Sequence, residues 1–256
     1  MWLFRSVGLA WCAGTAYLCR NNLNQNIETE EKYDIGQRNE RSLHASLKQW
    51  CAQPGDKFEV PVGAYIIDLV RGEQLIEIQT RNFSAIRGKL GALLQQYKVH
   101  LLHPVTSEKW IVQVDAAGEK ILSRRKSPFR GQLTDVFEEL VRIPGLILQQ
   151  NFTLEILLIK EDEVRCRDGK GSKHRKRESI KDRRLVEVVE THRFNSPKDF
   201  LVFLPSSLPQ PFSNKDLAAA LLLPLHRCRQ ITYTLRKMEA ICQAGKNRNE
   251  LLFRLS

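Results

Sequence analysis

Apolar residues recur at helical spacing over Asn39–Ala52, where Leu43, Leu47 and Trp50 share one side and Glu40, Arg41 and Lys48 lie elsewhere. The cluster Gln53-Pro54-Gly55-Asp56 ends that helix. Lys57–Pro61 and Ala64–Val70 then read as strands, the second almost wholly apolar except for Asp68. Arg71-Gly72-Glu73-Gln74 is a turn and Leu75–Thr80 a third strand. Helical period returns over Phe83–Tyr97, with Phe83, Ile86, Leu90, Leu93, Leu94 and Tyr97 on one side. Val99–Leu102 is a short, continuous apolar strand of the kind found in parallel pairing.

Beyond this helix, three strands, helix, strand order, Trp110–Val114 and Lys120–Ser123 predict a hairpin around Ala117-Gly118. Leu133–Val141 reads as a helix, and Leu154–Lys160 fits helix or strand equally. Arg165–Arg184 carries ten Lys and Arg against Asp168, Glu178 and Asp182, so it reads as a basic loop too polar to pack. Leu185–Thr191 is a candidate strand. From Pro197 a second unit begins, with helices over Pro197–Leu204, Asn214–Leu222 and Leu225–Ala240. Ser213 and Asp216 form a capping-box pattern before the second of these. Strands Ile241–Ala244 and Leu251–Leu255 enclose a basic tip at Gly245-Lys246-Asn247-Arg248-Asn249. No internal repeat is present.

Charge changes the picture. Lys and Arg number 40 and Asp and Glu 29 among 256 residues, leaving +11. A polyanionic partner is therefore the first to consider, although charge alone does not distinguish DNA, RNA and lipid. The 42% apolar content excludes an intrinsically disordered chain. No charge-free run of 18 apolar residues marks a multi-span membrane protein. The six cysteines form no C-x-x-C pair and have no histidine at zinc-finger spacing, so reduced and mostly buried thiols are expected. Residues 1–37 read as a leader or an unstructured extension. The basic start and apolar Val7–Cys19 stretch leave a membrane tether open, while everything downstream reads as cytoplasmic.

Chemistry concentrates between Tyr65 and Thr80. A two-residue loop at Gly72-Glu73, with glycine first as a type II′ turn requires, makes partner numbers sum to 145. Asp68 then lies opposite Glu77 on one face, joined by Gln79, among Ile66, Ile67, Leu69, Val70, Leu75, Ile76 and Ile78. Facing carboxylates in apolar surroundings call for a cation, and Mg²⁺ suits such a pair. Another register, or arginine partners, would satisfy them equally.

The run Ile67-Asp68-Leu69 followed by Ile76-Glu77-Ile78-Gln79 resembles the PD-(D/E)XK motif of restriction-endonuclease-like nucleases, whose αβββαβ core matches the order over about Asn39–Val105. The resemblance implies an α/β fold with added strands and helices, over 38–195, and metal-dependent phosphodiester hydrolysis. It assigns Asp68 and Glu77 as ligands of Mg²⁺ or Mn²⁺ and Glu40 as the helix acid. Gln79 stands where that family carries a catalytic lysine, and the motif's proline is missing. Gln occurs there both in active members and in members that only bind, so a catalytically inactive DNA-binding or regulatory protein is the alternative. Lys89 or Arg81 would be the source of a migrated cation, although helical phase turns Lys89 toward solvent.

Three helices and a basic hairpin over 196–256 resemble a winged helix-turn-helix. That resemblance implies Arg229, Arg236 and Lys237 at bases or phosphates and Lys246 and Arg248 at phosphates. The loop at 165–184 would add sequence-independent phosphate contacts. The same fold also serves dimerisation, so a homodimer fits the sequence as well. The whole chain is similar to an uncharacterised bacterial family that joins these two domains, and no small-molecule cofactor is expected.

Overall fold

The computed structural model describes residues 42–118, 120–175 and 177–256, so the 1–37 extension and Glu40 lie outside the described residues. The chain is mixed α/β. It begins with α1 (Ser42–Cys51), β1 (Lys57–Val62), β2 (Tyr65–Arg71), β3 (Gln74–Ile78), α2 (Phe83–Leu93) and β4 (Lys98–Val114). There follow β5 (Ile121–Arg130), a 3-10 turn at Leu133–Val136, α3 (Phe137–Leu140), β6 (Phe152–Cys166) and β7 (Ser179–Phe194). After a 3-10 helix at Pro197–Phe203 come β8 (Phe212–Ser213), α4 (Asn214–Leu221), α5 (Leu225–Lys237), β9 (Ile241–Asn247) and β10 (Glu250–Leu255).

Strands β1-β2-β3-β4-β6-β7 form the main sheet in that order, with β5 also paired to β4. The β3–β4 and β4–β6 pairs are parallel and the others antiparallel. Side chains alternate between faces along β3 and β4, and each face takes one helix. Leu43 and Leu47 of α1 pack with Leu69, Ile76, Ile78 and Leu102. Phe83, Ile86, Leu90 and Leu93 of α2 pack with Leu75, Val99 and Leu101 on the other face. Each such side chain contributes about 1.5–3 kcal/mol by leaving water. Trp50, expected beside Leu47, is 46% exposed, and Tyr97 lies beyond the end of α2 at 38%.

The expected strands at 99–102 and 110–114 are one long strand, β4. It runs through Pro104 because the edge on which proline lacks a donor is locally unpartnered. The Leu102 carbonyl accepts from Gln79 N–H on the β3 side, and Pro104, two residues on, faces the same side past the last β3 pair. Strand β5 takes over that edge from Glu108 onward, while β6 pairs along the whole opposite edge.

The 165–184 segment also departs from expectation. Its two ends are strand, with β6 continuing to Cys166 and β7 starting at Ser179, and the described residues between them form the expected loop. Polar residues pack here because they pair with one another. Arg183 bonds the fully buried Glu161 at 2.7 Å, Arg165 bonds Glu163 at 2.6 Å, and Lys181 meets Asp168 at 3.2 Å. Much of the charge assigned to phosphate contacts is thus neutralised within the sheet.

The α2-side core continues into the C-terminal elements. Phe203 meets Phe137 edge-on at 4.8 Å and stacks on Phe194 at 5.7 Å, and Cys228, Ile231 and Leu235 of α5 extend the same cluster. Strands β8, β10 and β9 make a second, three-stranded sheet. Cys51, Cys166, Cys228 and Cys242 are free thiols. Among the described residues no helix is long and apolar enough to cross a membrane.

Candidate functional site

The β2–β3 register is the expected one. Leu69 pairs with Ile76, Val70 with Leu75 and Arg71 with Gln74, and Gly72 opens the two-residue loop at φ 56°. The ladder stops one pair short of Asp68 and Glu77. On the other side the β1 ladder skips Glu59 and Asp68, and Glu59 takes a left-handed φ of 52°. Ile67 packs into the α2-side core and Leu69 into the α1-side core. Residues two apart in a regular strand share a face; the alternation therefore slips by one at Asp68.

That slip corrects the expectation that the two acids share a face. Asp68 turns toward α1, where its carboxylate accepts from Ile78 N–H at 2.8 Å and lies 3.2 Å from His44 Nε2 and 3.7 Å from Lys48 Nζ. Lys48 is itself buried and also holds Glu59. Glu77 turns toward α2, where Lys89 Nζ donates to Oε1 at 2.5 Å and to the Ile66 carbonyl at 2.7 Å. Helical phase places Lys89 in solvent; its ammonium instead closes over the end of β2, and the side chain is 16% exposed.

Their environments push the two acids apart. Burial works to raise Asp68, but the His44 bond and charge, the Ile78 N–H and Lys48 outweigh it and hold the carboxyl below its usual range. Glu77 is raised, first by burial and then by the Asp68 charge, against the opposing pull of Lys89 and the Asp68 backbone N–H. Its second oxygen, Oε2, is buried without a hydrogen-bond partner.

Gln79 does not join the pair. Its amide donates to the Arg81 and Asn82 carbonyls, at 2.5 and 3.3 Å, and so braces the turn into α2. Sequence spacing could not show this, because β3 ends at Ile78 and alternation no longer governs the next residue. Among the described residues no group of three or more His, Cys, Asp or Glu could hold a metal ion. Asp68 and Glu77 as placed do not fit a shared Mg²⁺ site: each is met by a protein cation, and a metal would have to displace Lys89 from Glu77. Sequence reasoning misses His44 and Lys48, although both lie one helical turn or less from Leu43 and Leu47, on the flank that meets β2.

The C-terminal elements gather the other candidates. Ser213 Oγ accepts from the N–H groups of Lys215 and Asp216, and Asp216 accepts from Ser213 N–H at 2.7 Å, so α4 starts on the expected capping box. Leu222-Leu223-Pro224 turns the chain into α5, and Thr232 Oγ1 donates to Asn214 Oδ1 at 2.7 Å to lock the two helices. With Cys228, Ile231, Thr232 and Leu235 inward, Arg229, Tyr233 and Lys237 form an exposed stripe at four-residue spacing. Arg236 is half-buried beside Gln243 at 3.4 Å. A groove of about 330 Å³ runs between α5 and β10, lined by Arg229, Tyr233, Arg236, Asn214 and Asn249. Lys246 and Arg248 are exposed at the hairpin end, where Arg248 occupies the turn at φ 52°.

Residues 41–195 match the family described as a domain of unknown function, DUF8091, and the chain belongs to that family. It is also similar to an uncharacterised protein of Treponema pallidum (strain Nichols), 29% identical over 180 residues that cover 70% of this chain and 71% of the relative. No solved structure matches the chain.

Proposed function

We propose that this protein binds nucleic acid, DNA in the first place, through a C-terminal winged-helix-like module carried on a restriction-endonuclease-like α/β scaffold. The observation that carries this reading is the exposed Arg229–Tyr233–Lys237 stripe beside the basic β9–β10 hairpin. A helix presenting cations in one row, flanked by a basic tip, suits a groove lined by phosphates. The acid pair serves the fold in this account: Asp68 fixes α1 to β2 and Glu77 fixes α2 to β3, each through a lysine. Fluorescence anisotropy on duplex DNA, in buffer with EDTA, tests the proposal. Wild type should bind with steep salt dependence. Arg229→Ala with Lys237→Ala should weaken binding and flatten that dependence by about 0.9 per phosphate no longer neutralised. Equal binding by both proteins would overturn it.

One observation favours a second reading, metal-dependent phosphodiester hydrolysis. The buried Oε2 of Glu77 has no hydrogen-bond partner among the described residues, and a metal that used it would have to displace Lys89 from Oε1. Cleavage of DNA in Mg²⁺ or Mn²⁺, lost in Asp68→Ala and Glu77→Ala, would establish that reading.

A further inference from the structure

Strand β5 pairs with β4 alone, so its outer edge has no strand partner among the described residues. Its sequence, ILSRRKSPFR, holds four cations and no acid, and every residue except Ser127 is exposed. The register sets Lys126 opposite Trp110 and Arg124 opposite Val112 on one face, and Arg125 opposite Ile111 on the other. A strand edge with charges on both faces and a proline resists further strand pairing. Arg130 lies 3.8 Å from Glu108 and stays 56% exposed.

Two of these cations are held in place while staying open to solvent. The Trp110 ring lies under the Arg124 guanidinium at 5.0 Å and the Lys126 ammonium at 5.2 Å. Asp162 meets Arg124 at 2.9 Å and Glu108 meets Lys126 at 2.7 Å, yet the two side chains remain 45% and 46% exposed. Cations fixed in advance lose little rotamer freedom when a ligand arrives. Arg125 is exposed, with no carboxylate at ion-pair distance among the described residues.

The strand is also tied to the α5 surface. Beyond Gly131, Asp135 Oδ2 accepts from Gln132 N–H at 2.9 Å, and Oδ1 accepts from Arg227 of α5 at 2.6 Å. Arg229, which opens the α5 stripe, is two residues further on and lies about 200° around the helix from Arg227, so the stripe faces away from this contact. We propose that β5 is a second phosphate-binding surface, separate from the α5 stripe, which grips the backbone of a longer nucleic acid without reading bases.

This inference rests on the nucleic-acid reading above, and the test separates the two. Anisotropy with the full chain would use a short duplex and one twice as long across a salt series, comparing wild type with Arg125→Glu and Arg229→Glu. Doubling the length should raise wild-type affinity. Arg125→Glu should abolish most of that gain, spare the short duplex, and lower the salt slope by about 0.9 for each phosphate that β5 no longer neutralises. If Arg125→Glu keeps the full gain and slope while Arg229→Glu weakens both duplexes, β5 has no such role and the α5 reading stands. If neither variant changes binding, both readings fail. Should Arg125→Glu lose binding to phosphatidylserine vesicles with DNA binding unchanged, the surface belongs to lipid and the proposal is overturned.

Discussion

Replacing Lys89 by methionine tests whether the acid pair is a structural brace. The change keeps the length of the side chain and removes its charge. Lys89 is 16% exposed and Glu77 9%, and the ammonium makes two short bonds, to Glu77 Oε1 and to the Ile66 carbonyl. Removing one partner of such a pair leaves a buried charge uncompensated, at about 3–5 kcal/mol. Against a total stability of about 5–15 kcal/mol that is a large loss. Replacing both Lys89 and Glu77 by methionine removes the stranded charge, so the double variant should lose no more than about 1–3 kcal/mol, chiefly for the unpaired Ile66 carbonyl. Urea unfolding of wild type, both single variants and the double variant closes the cycle. A Lys89→Met loss within about 0.5 kcal/mol, as expected of a solvated surface lysine, would refute the brace. A double-variant loss equal to the sum of the singles would do the same.

Glu77 is raised above its ordinary 4.5, so the folded state holds that proton more tightly than the unfolded chain. This contribution is present below pH 4.5 and disappears as pH rises through the folded-state value, and Glu77→Gln should remove that fall from urea midpoints measured as a pH series. Asp68 acts oppositely: its depressed carboxyl stabilises above its ordinary 3.8, and the benefit is lost in more acid solution, so Asp68→Asn should flatten the acid limb. Ser213→Ala strips the oxygen that accepts from Lys215 and Asp216 N–H and should cost about 1 kcal/mol of stability by urea unfolding, with unchanged circular dichroism.

Much of the architecture is legible in the sequence because local chemistry and global fold agree. Gly72 in first loop position dictates the β2–β3 register, and Ser213 with Asp216 marks the start of α4. The candidate site is legible only in part. Register places Asp68 and Glu77 as neighbours, but the slip at Asp68 is paired with a left-handed Glu59, a conformation for which that residue type gives no signal. Helical phase misplaces Lys89 because it ranks positions by the apolar stripe, whereas the long lysine stem reaches back to the end of β2. In β6 and β7, polarity suggests a loop; cross-strand pairs such as Arg183–Glu161 form only once distant segments meet. The passage of β4 through Pro104 likewise depends on where β3 ends, which no local pattern records.

Under the proposed function, nucleic acid is held by the cations of α5 and its hairpin while Lys48 and Lys89 satisfy the acids of the sheet. Duplex-DNA affinity, determined at matched ionic strength in EDTA and again in Mg²⁺, addresses both halves at once. Tight, salt-sensitive binding in EDTA is expected, with an unchanged dissociation constant in Mg²⁺ and intact DNA recovered afterwards. Binding that appears only with Mg²⁺, or DNA recovered cleaved, would contradict the proposed function.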